Sequence, residues 1–488
     1  MLSWAVTRTR LGRATTSHLR TQIKQKKHNY STQGPGRSTT PKISSRNITF
    51  TSAVTAPGLW WLMTTRDDDD QVPRFENLGY DLSVAPGPSK EQATHILSKG
   101  AYSFRVADVF GVRRYDGTQL TSNDPCEDRF VHGKFASPWD DDENQWMAWG
   151  VFDGHAGWQT AELLKNQLIP SVRQSLTQAS SSAKENGVIQ QAIMKAFVHL
   201  DDAIIKTAQD TAQNSTDRLA EKVSKLTPAF AGSCALVSIY DPGTSTLHVA
   251  CTGDSRAVLA QRQPDGKWTA TPLSEDQTGR NLEEITRLYH DHPGEPNIVK
   301  DGRVLGMMVS RAFGDSRWKW PLDFQQDMKR RLHGPAVLTP RYDVRTPPYL
   351  TAEPVVTSTK IDPGKPSFLI MASDGLWDML SSQQAVDLVG CWLGAEVRNS
   401  NRNSNTKGQS TDGPFDFGKL EKGTEWKFKK DRTTVQDENV AVHLVRNSLG
   451  GNHHELVAGR LAFSAPFSRS VRDDITVQVA FFNVHEKK

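Results

Sequence analysis

From about residue 100 onward, short apolar runs recur between Gly, Asp and Pro: Trp146–Phe152, Cys234–Tyr240, Thr246–Cys251, Ala257–Gln261, Phe368–Ala372 and Ile475–Phe482. Their length, β-branched content and alternation predict strands. Longer stretches with apolar residues three and four apart predict helices over Trp158–Gln174, Val188–Gln209, Asn281–Tyr289, Ser382–Leu393 and Asn439–Ser448. The runs 234–240 and 246–251 are separated by a turn containing Asp241, Pro242 and Gly243, which predicts an antiparallel hairpin rather than a crossover unit. The expected outcome is antiparallel sheet covered by helices, an α/β layered (α+β) domain over 100–488. Residues 395–436, rich in Asn, Ser, Gly and Lys, are expected to be a polar surface insertion in that domain.

Composition agrees with a soluble body. The 488 residues suffice for two to three average domains, or for one large domain with insertions and tails. Apolar residues at 36% and charged residues at 23% exclude a disordered polyelectrolyte. No run of about 18 apolar residues occurs, so no stable membrane span is expected. Cys126, Cys234, Cys251 and Cys391 lie far apart without a CxxC pair, which argues against a zinc knuckle and against a disulfide scaffold.

The net charge of +4 conceals two unlike pieces. Residues 1–66 carry eleven of the 59 Lys and Arg and none of the 55 Asp and Glu, which leaves residues 67–488 at −7. Leu2, Trp4, Leu11, Leu19 and Ile23 are spaced among Arg8, Arg10, Arg13 and Arg20, the composition of a mitochondrial transit peptide. The alternative is a basic nucleic-acid-binding arm, in which apolar residues at helical spacing would be superfluous. Ile48–Met63 is mildly apolar but short and interrupted by Pro57 and Gly58; it reads as a tether, or alternatively as an inner-membrane sorting signal. Residues 1–66 are therefore expected to be transit peptide and tether, and 67–99 a linker. The acidic body lacks the cationic footprint that nucleic-acid binding demands, so no nucleic-acid partner is expected.

What the predicted strands share is acid at their ends. Trp146–Phe152 runs into Asp153, Gly154 and His155; Phe368–Ala372 runs into Ser373, Asp374 and Gly375; Asp473 and Asp474 precede the last strand. Glu127, Asp128 and Asp254 add further acidic positions. One strand ending in Asp-Gly is an ordinary turn. Several carboxylates converging on one place would repel unless cations neutralise them, and an oxygen donor set with few His and no Cys suits Mg2+ or Mn2+ better than Zn2+.

Phe152-Asp153-Gly154-His155-Ala156-Gly157 resembles the DGHxG signature of the metal-dependent type 2C Ser/Thr protein phosphatases, and it does not stand alone. Cys126–Arg129 precedes it in family order; Gly232–Ala235, Thr252–Arg256, Ser310–Asp315, Ala372–Asp378 and Arg472–Val477 follow. The stretches Asn123–Arg129, Ala312–Trp320, Thr346–Pro354 and Asp437–Gly450 are similar to the pyruvate dehydrogenase phosphatase branch of that family.

The resemblance implies a sandwich of two antiparallel sheets flanked by helices, with two Mg2+ or Mn2+ at one end. It implies metal binding by Asp153, the Gly154 carbonyl, Asp374 and Asp473, with Glu127 and Asp128 acting through metal-bound water and Asp254 at the place of a third, weaker metal. Two cations about 3.5–4 Å apart would lower the pKa of a bridging water from about 15.7 toward about 7, so that hydroxide attacks phosphorus and no enzyme nucleophile is needed. His155 is implied as the general acid for the departing oxygen; the alternative is a structural His beside a carboxylate. Asn123 stands where many members hold phosphate with Arg, and is read as a weaker phosphate-binding residue. Cys234 replaces a common Thr and is given no catalytic role.

Two rival chemistries fit the sequence less well. A cysteine-dependent phosphatase needs a C-x5-R loop, whereas Cys251 and Arg256 have only four residues between them, with Asp254 inside. A catalytically weak type 2C-like scaffold or regulatory module would be expected to lose metal carboxylates, and they are present. The expected protein is a phosphoserine and phosphothreonine phosphatase of the mitochondrion, in the matrix, with the intermembrane space or inner-membrane association as alternatives. Its expected partner is a phosphoprotein substrate in the pyruvate dehydrogenase complex, the decarboxylase component.

Overall fold

The computed structural model describes residues 87–139, 144–179, 185–214, 216–399 and 426–484. The basic leader and the tether lie outside these residues, as does most of the polar insertion.

Two antiparallel sheets carry the domain. The first contains β1 (Tyr102–Arg105), β2 (Val112–Leu120), β16 (Ile475–Phe482), β15 (Ser367–Ala372), β9 (Arg256–Arg262) and β10 (Trp268–Pro272), side by side in that order. The second contains β14 (Val355–Lys360), β8 (Thr246–Thr252), β7 (Ala235–Asp241), β4 (Gln145–Phe152) and β3 (Arg129–Ala136). The hairpin expected from Asp241-Pro242-Gly243 is present, with Ala235 opposite Thr252 and Asp241 opposite Thr246.

The period-two pattern sorts side chains into layers. On β4, Trp146, Ala148 and Phe152 join the helix-side core, whereas Met147, Trp149 and Val151 join the core between the sheets. On β15, Phe368, Ile370 and Ala372 face the opposite helices, and Leu369 and Met371 face inward. The helices Gln159–Gln178, Asn186–Gln213 and Leu219–Phe230 cover the second sheet, while Lys90–Ser98, Ser382–Asn399, Val440–Leu449 and His454–Ala462 cover the first. The expected two-sheet sandwich flanked by helices is therefore the observed architecture.

The strands missed in sequence are the polar ones. β2 buries Asp116 and Thr118, and Asp116 is held by Arg114 and by the Val440 amide, so its apolar alternation is broken by satisfied polar groups. β3 is an edge strand of partly buried residues, and neither face produces a strong signal.

Two boundaries also move. The helix Lys90–Ser98 falls within the stretch 67–99 read as linker, yet Ser89 caps it and Ala93 and Leu97 are fully buried in the core. That part of the stretch is domain, not linker. The insertion read as 395–436 is narrower at both ends. The helix Ser382–Asn399 enters it, while the Trp426 carbonyl accepts from Arg460, whose guanidinium also lies 4.7 Å from the Trp426 ring.

Between β10 and β14 the chain forms the short hairpin of β11 (Val299–Lys300) and β12 (Arg303–Val304), with a smaller apolar cluster that includes Leu288, Ile298, Leu305, Trp318 and Tyr349. A buried ion pair fastens it. Glu284 accepts from Arg311 Nη2 at 2.7 Å, from Arg287 Nη2 at 2.9 Å and from Ser310 Oγ at 2.7 Å. Burial works against ionisation of Glu284, but Arg311 and Arg287 outweigh it and hold the carboxyl down at about 2.

Because its folded value lies below the unfolded one, Glu284 contributes stability that is complete above about pH 5 and is lost as pH falls toward 2. Glu284→Gln is expected to cost about 3–5 kcal/mol near neutral pH by leaving buried Arg311 unpaired. Urea denaturation of both proteins should show the gap narrowing steadily from pH 5 toward pH 2; a pH-independent gap would contradict this reading.

Candidate metal centre

The acids gather at one end of the sandwich, where chains leave the strands. Asp153 lies between β4 and the short strand β5 (Gly154–His155), which pairs with β6 (Gly232–Ser233); β6 pairs in turn with β13 (Phe313–Gly314). Asp374 opens the short helix Asp374–Trp377 directly after β15, and Asp254 lies in the turn between β8 and β9. Asp153, Asp254 and Asp374 each offer an oxygen, and the three oxygens lie within 4.8 Å of one another.

Burial, followed by the charges of Asp374, Asp128 and Asp254, raises the pKa of Asp153 well above the usual carboxylate range. Asp374 is raised by burial and then by Asp254 and Asp473; Asp128 by burial and then by Asp474. This is the electrostatic signature of a site that lacks positive charge. The donors are all hard oxygens, so the residues present fit Mg2+ or Mn2+.

Gly154 fits for a steric reason. A Cβ there would stand 2.4 Å from the Glu127 carbonyl oxygen, so only glycine lets the two backbones approach.

The remaining predicted residues surround this group in different ways. Asp128 is buried and accepts from Ser373 Oγ at 2.8 Å and Thr476 Oγ1 at 2.7 Å. Glu127 Oε1 accepts from the Gly157 amide at 2.6 Å. Asp473 is not part of the three-oxygen group: its Oδ1 accepts from Arg469 Nη1 at 2.8 Å and from the Asp474 amide. Asn123 donates its side-chain amide to Asp474 Oδ2 at 2.9 Å, so the donor assigned to phosphate from sequence is engaged by a carboxylate instead.

Three contributors were not given roles from sequence. Asp474 accepts from the amides of Ser122, Asn123 and Glu127, and thereby shapes the loop that carries Glu127 and Asp128. Its position beside Asp473 was visible, but which carboxylate would turn inward was not.

Asp315 is the second. His155 Nε2 lies 2.7 Å from Asp315 Oδ2, and a Cβ on Gly232 would stand 2.2 Å from that nitrogen, so Gly232 leaves room for the pair. Burial would lower the His155 pKa, but Asp315 outweighs it and the pKa is raised. Asp315 has φ of 46°, and its loop is fixed by Asp201, which accepts from the Gly314 amide and from Lys319 Nζ at 2.6 Å. The acid closing Ser310–Asp315 was the available signal. Arg469 is the third, four residues before Asp473, the spacing at which side chains meet on a helical turn.

Cys234 and Cys251, the buried thiols near the acids, are poorly suited to nucleophilic chemistry. Cys234 Sγ donates to Asp254 Oδ1 at 3.3 Å, and burial followed by the Asp254 charge raises its pKa well above normal. Burial raises Cys251 to about 12.

An oxygen-rich acidic group and an imidazole–carboxylate pair thus lie together on a helix-flanked double sheet. Comparison with known proteins gives the family. Residues 114–407 match the family model described as protein phosphatase 2C. A protein phosphatase 2C homolog of Schizosaccharomyces pombe is 41% identical over 76% of this chain and 81% of its own length. The mitochondrial pyruvate dehydrogenase (acetyl-transferring) phosphatase 1 of Saccharomyces cerevisiae is 36% identical over 86% of this chain and 75% of its own length. Its Homo sapiens namesake is 31% identical over 87% of each chain. The chain belongs to the protein phosphatase 2C family and is a protein phosphatase, a hydrolase.

If repulsion among these acids is the local fault that cations relieve, Mn2+ should raise the thermal midpoint of the purified protein by several degrees. Asp153→Asn should abolish most of that rise while leaving the metal-free midpoint equal or higher, because it removes one of several repelling charges. A metal-free variant markedly less stable than the parent would count against the repulsion.

Proposed function

We propose that the protein is a Mg2+- or Mn2+-dependent mitochondrial phosphatase that removes phosphate from serine or threonine of the pyruvate dehydrogenase decarboxylase component. The three-oxygen group of Asp153, Asp254 and Asp374 beside His155 carries the chemical part of this reading. The substrate part is supported by similarity to phosphatases whose names state it. The acid-free basic leader supports the compartment, with the matrix, where such a substrate would be met, as the proposed space.

Asp153, the Gly154 carbonyl, Asp374 and Asp473 would hold two cations, with Glu127 and Asp128 reaching them through water. Asp254, tied by resemblance to a third cation, lies close enough to Asp153 and Asp374 to share in the same group. When bound, the cations supply an activated water and neutralise charge on the phosphoryl group. His155 holds the proton for the departing serine or threonine oxygen. Its Nε2 faces Asp315, which fixes the ring and leaves Nδ1 as the nitrogen for substrate. Among the described residues no helix is long and apolar enough to cross a membrane.

The deciding assay offers phosphorylated pyruvate dehydrogenase and other mitochondrial phosphoproteins to the purified chain. Phosphate release should favour pyruvate dehydrogenase, require Mg2+ or Mn2+, and vanish in EDTA and in Asp153→Asn. Equal rates on every phosphoprotein would remove the substrate claim. Imported precursor should be shortened and protease-protected in isolated mitochondria; an uncleaved, accessible product would remove the compartment.

The role of His155 has a chemical test of its own. His155→Ala should lower kcat on phosphoserine protein by about 10^2–10^4-fold, but far less on p-nitrophenyl phosphate, whose leaving group departs without a proton. Equal losses on both substrates would make His155 structural.

A further inference from the structure

The acidic centre has a guanidinium at its exposed side. Arg469 belongs to the 3-10 turn Phe467–Ser470; its Nη1 donates to Asp473 Oδ1 at 2.8 Å and stands 3.8 Å from Glu127 Oε2. The side chain is 48% exposed, and the carboxylates of Asp153 and Asp374 also act on its charge.

Neighbouring cations are committed elsewhere. Arg472 donates to the backbone carbonyls of Arg460, Phe463 and Thr121; Arg129 is bonded to Glu162 and to the Cys126 and Asp128 carbonyls; Arg256 is paired with Asp276. Asn123 is engaged by Asp474. Among the described residues, Arg469 is the cation whose partners are themselves candidate metal carboxylates.

That arrangement is not indifferent to metal. A carboxylate whose charge is neutralised by a dication attracts a guanidinium far less. Of the five N–H donors that an Arg carries, the one bonded to Asp473 would be released, and the planar fork would be free to take an anion of matching geometry. We propose that Arg469 binds the phosphate of substrate and product, exchanging its carboxylate partners for phosphate oxygens when cations occupy the centre. The proposal rests on the metal-site reading and adds a specific phosphate anchor to it.

The exchange produces effects of opposite sign. Removing the guanidinium takes away a phosphate contact and also a competitor for Asp473. With Arg469→Gln, the affinity of the Mn2+-loaded full chain for inorganic phosphate, measured by titration calorimetry, should fall about 10- to 100-fold. Mn2+ affinity without phosphate should stay equal or tighten. Arg469→Lys, which keeps the charge but loses the fork, should recover part of the phosphate affinity, and KM for phosphoprotein should rise more than kcat falls.

Unchanged phosphate affinity in Arg469→Gln would overturn the proposal. Joint loss of phosphate and Mn2+ affinity would also overturn it, by making Arg469 a structural support for Asp473. Absence of Mn2+ binding to the parent chain would take down the metal-site reading itself, and this proposal with it.

Discussion

Mutual repulsion among crowded, partly buried carboxylates governs the functional end of this molecule. Asp153, Asp254 and Asp374 are brought together by strand ends from both sheets, and burial raises the pKa of each before any neighbour is considered. Such a cluster works against folding unless something else fixes its geometry. Here the fixing comes from neutral donors and close backbone packing. Ser373 and Thr476 hydroxyls donate to Asp128, three backbone amides hold Asp474, and Gly154 lies where any side chain would strike the Glu127 carbonyl. The repulsion is thereby held in place, and bound cations would relieve it.

The wider fold secures this end with buried ion pairs set away from it. Lys319 and Asp201 pin the loop that presents Asp315, and Arg311 with Glu284 fastens the smaller cluster between β10 and β14. Arg446 and Asp437 do the same for Val440–Leu449, a helix whose ten residues are all buried. Asp437–Gly450 and Thr346–Pro354, two stretches that mark the branch resemblance, are accordingly structural. Asn439 caps the buried helix, while Thr346 and Tyr349 bond Glu295. These stretches identify relatives without touching the metal centre, so likeness in them speaks to shared architecture more than to substrate contact.

Strands buried on both faces, such as Trp146–Phe152 and Ile475–Phe482, were legible in the sequence to within a residue or so of their observed ends. A short, continuous apolar run bounded by turn residues suits a strand covered on each side. The helices are placed, but several are drawn short; Trp158–Gln174 in sequence extends to Gln178 in the fold, where polar Ser175, Thr177 and Gln178 surround buried Leu176 and weaken the periodic signal. β2 and β3 were not legible, because buried Asp116 and an edge position break the alternation. At the site, ordered motifs bring out Asp153, Asp374 and His155, whereas the partners that orient them are hidden by distance along the chain. Asp315 meets His155 across 160 positions, and Asp474 reaches Glu127 across 347. Neither pairing follows from spacing, and Asn123, expected to face phosphate, turns its amide to Asp474.

Everything proposed for this chain requires the carboxylates at the sandwich end to be a divalent-cation site. Anomalous diffraction from crystals grown with Mn2+ would locate the ions themselves. Two peaks are expected, bounded by Asp153, Asp374 and the Gly154 carbonyl, with Asp473 turned toward them from Arg469. An absence of anomalous density there at saturating Mn2+, with the acids still clustered, would refute the cation site.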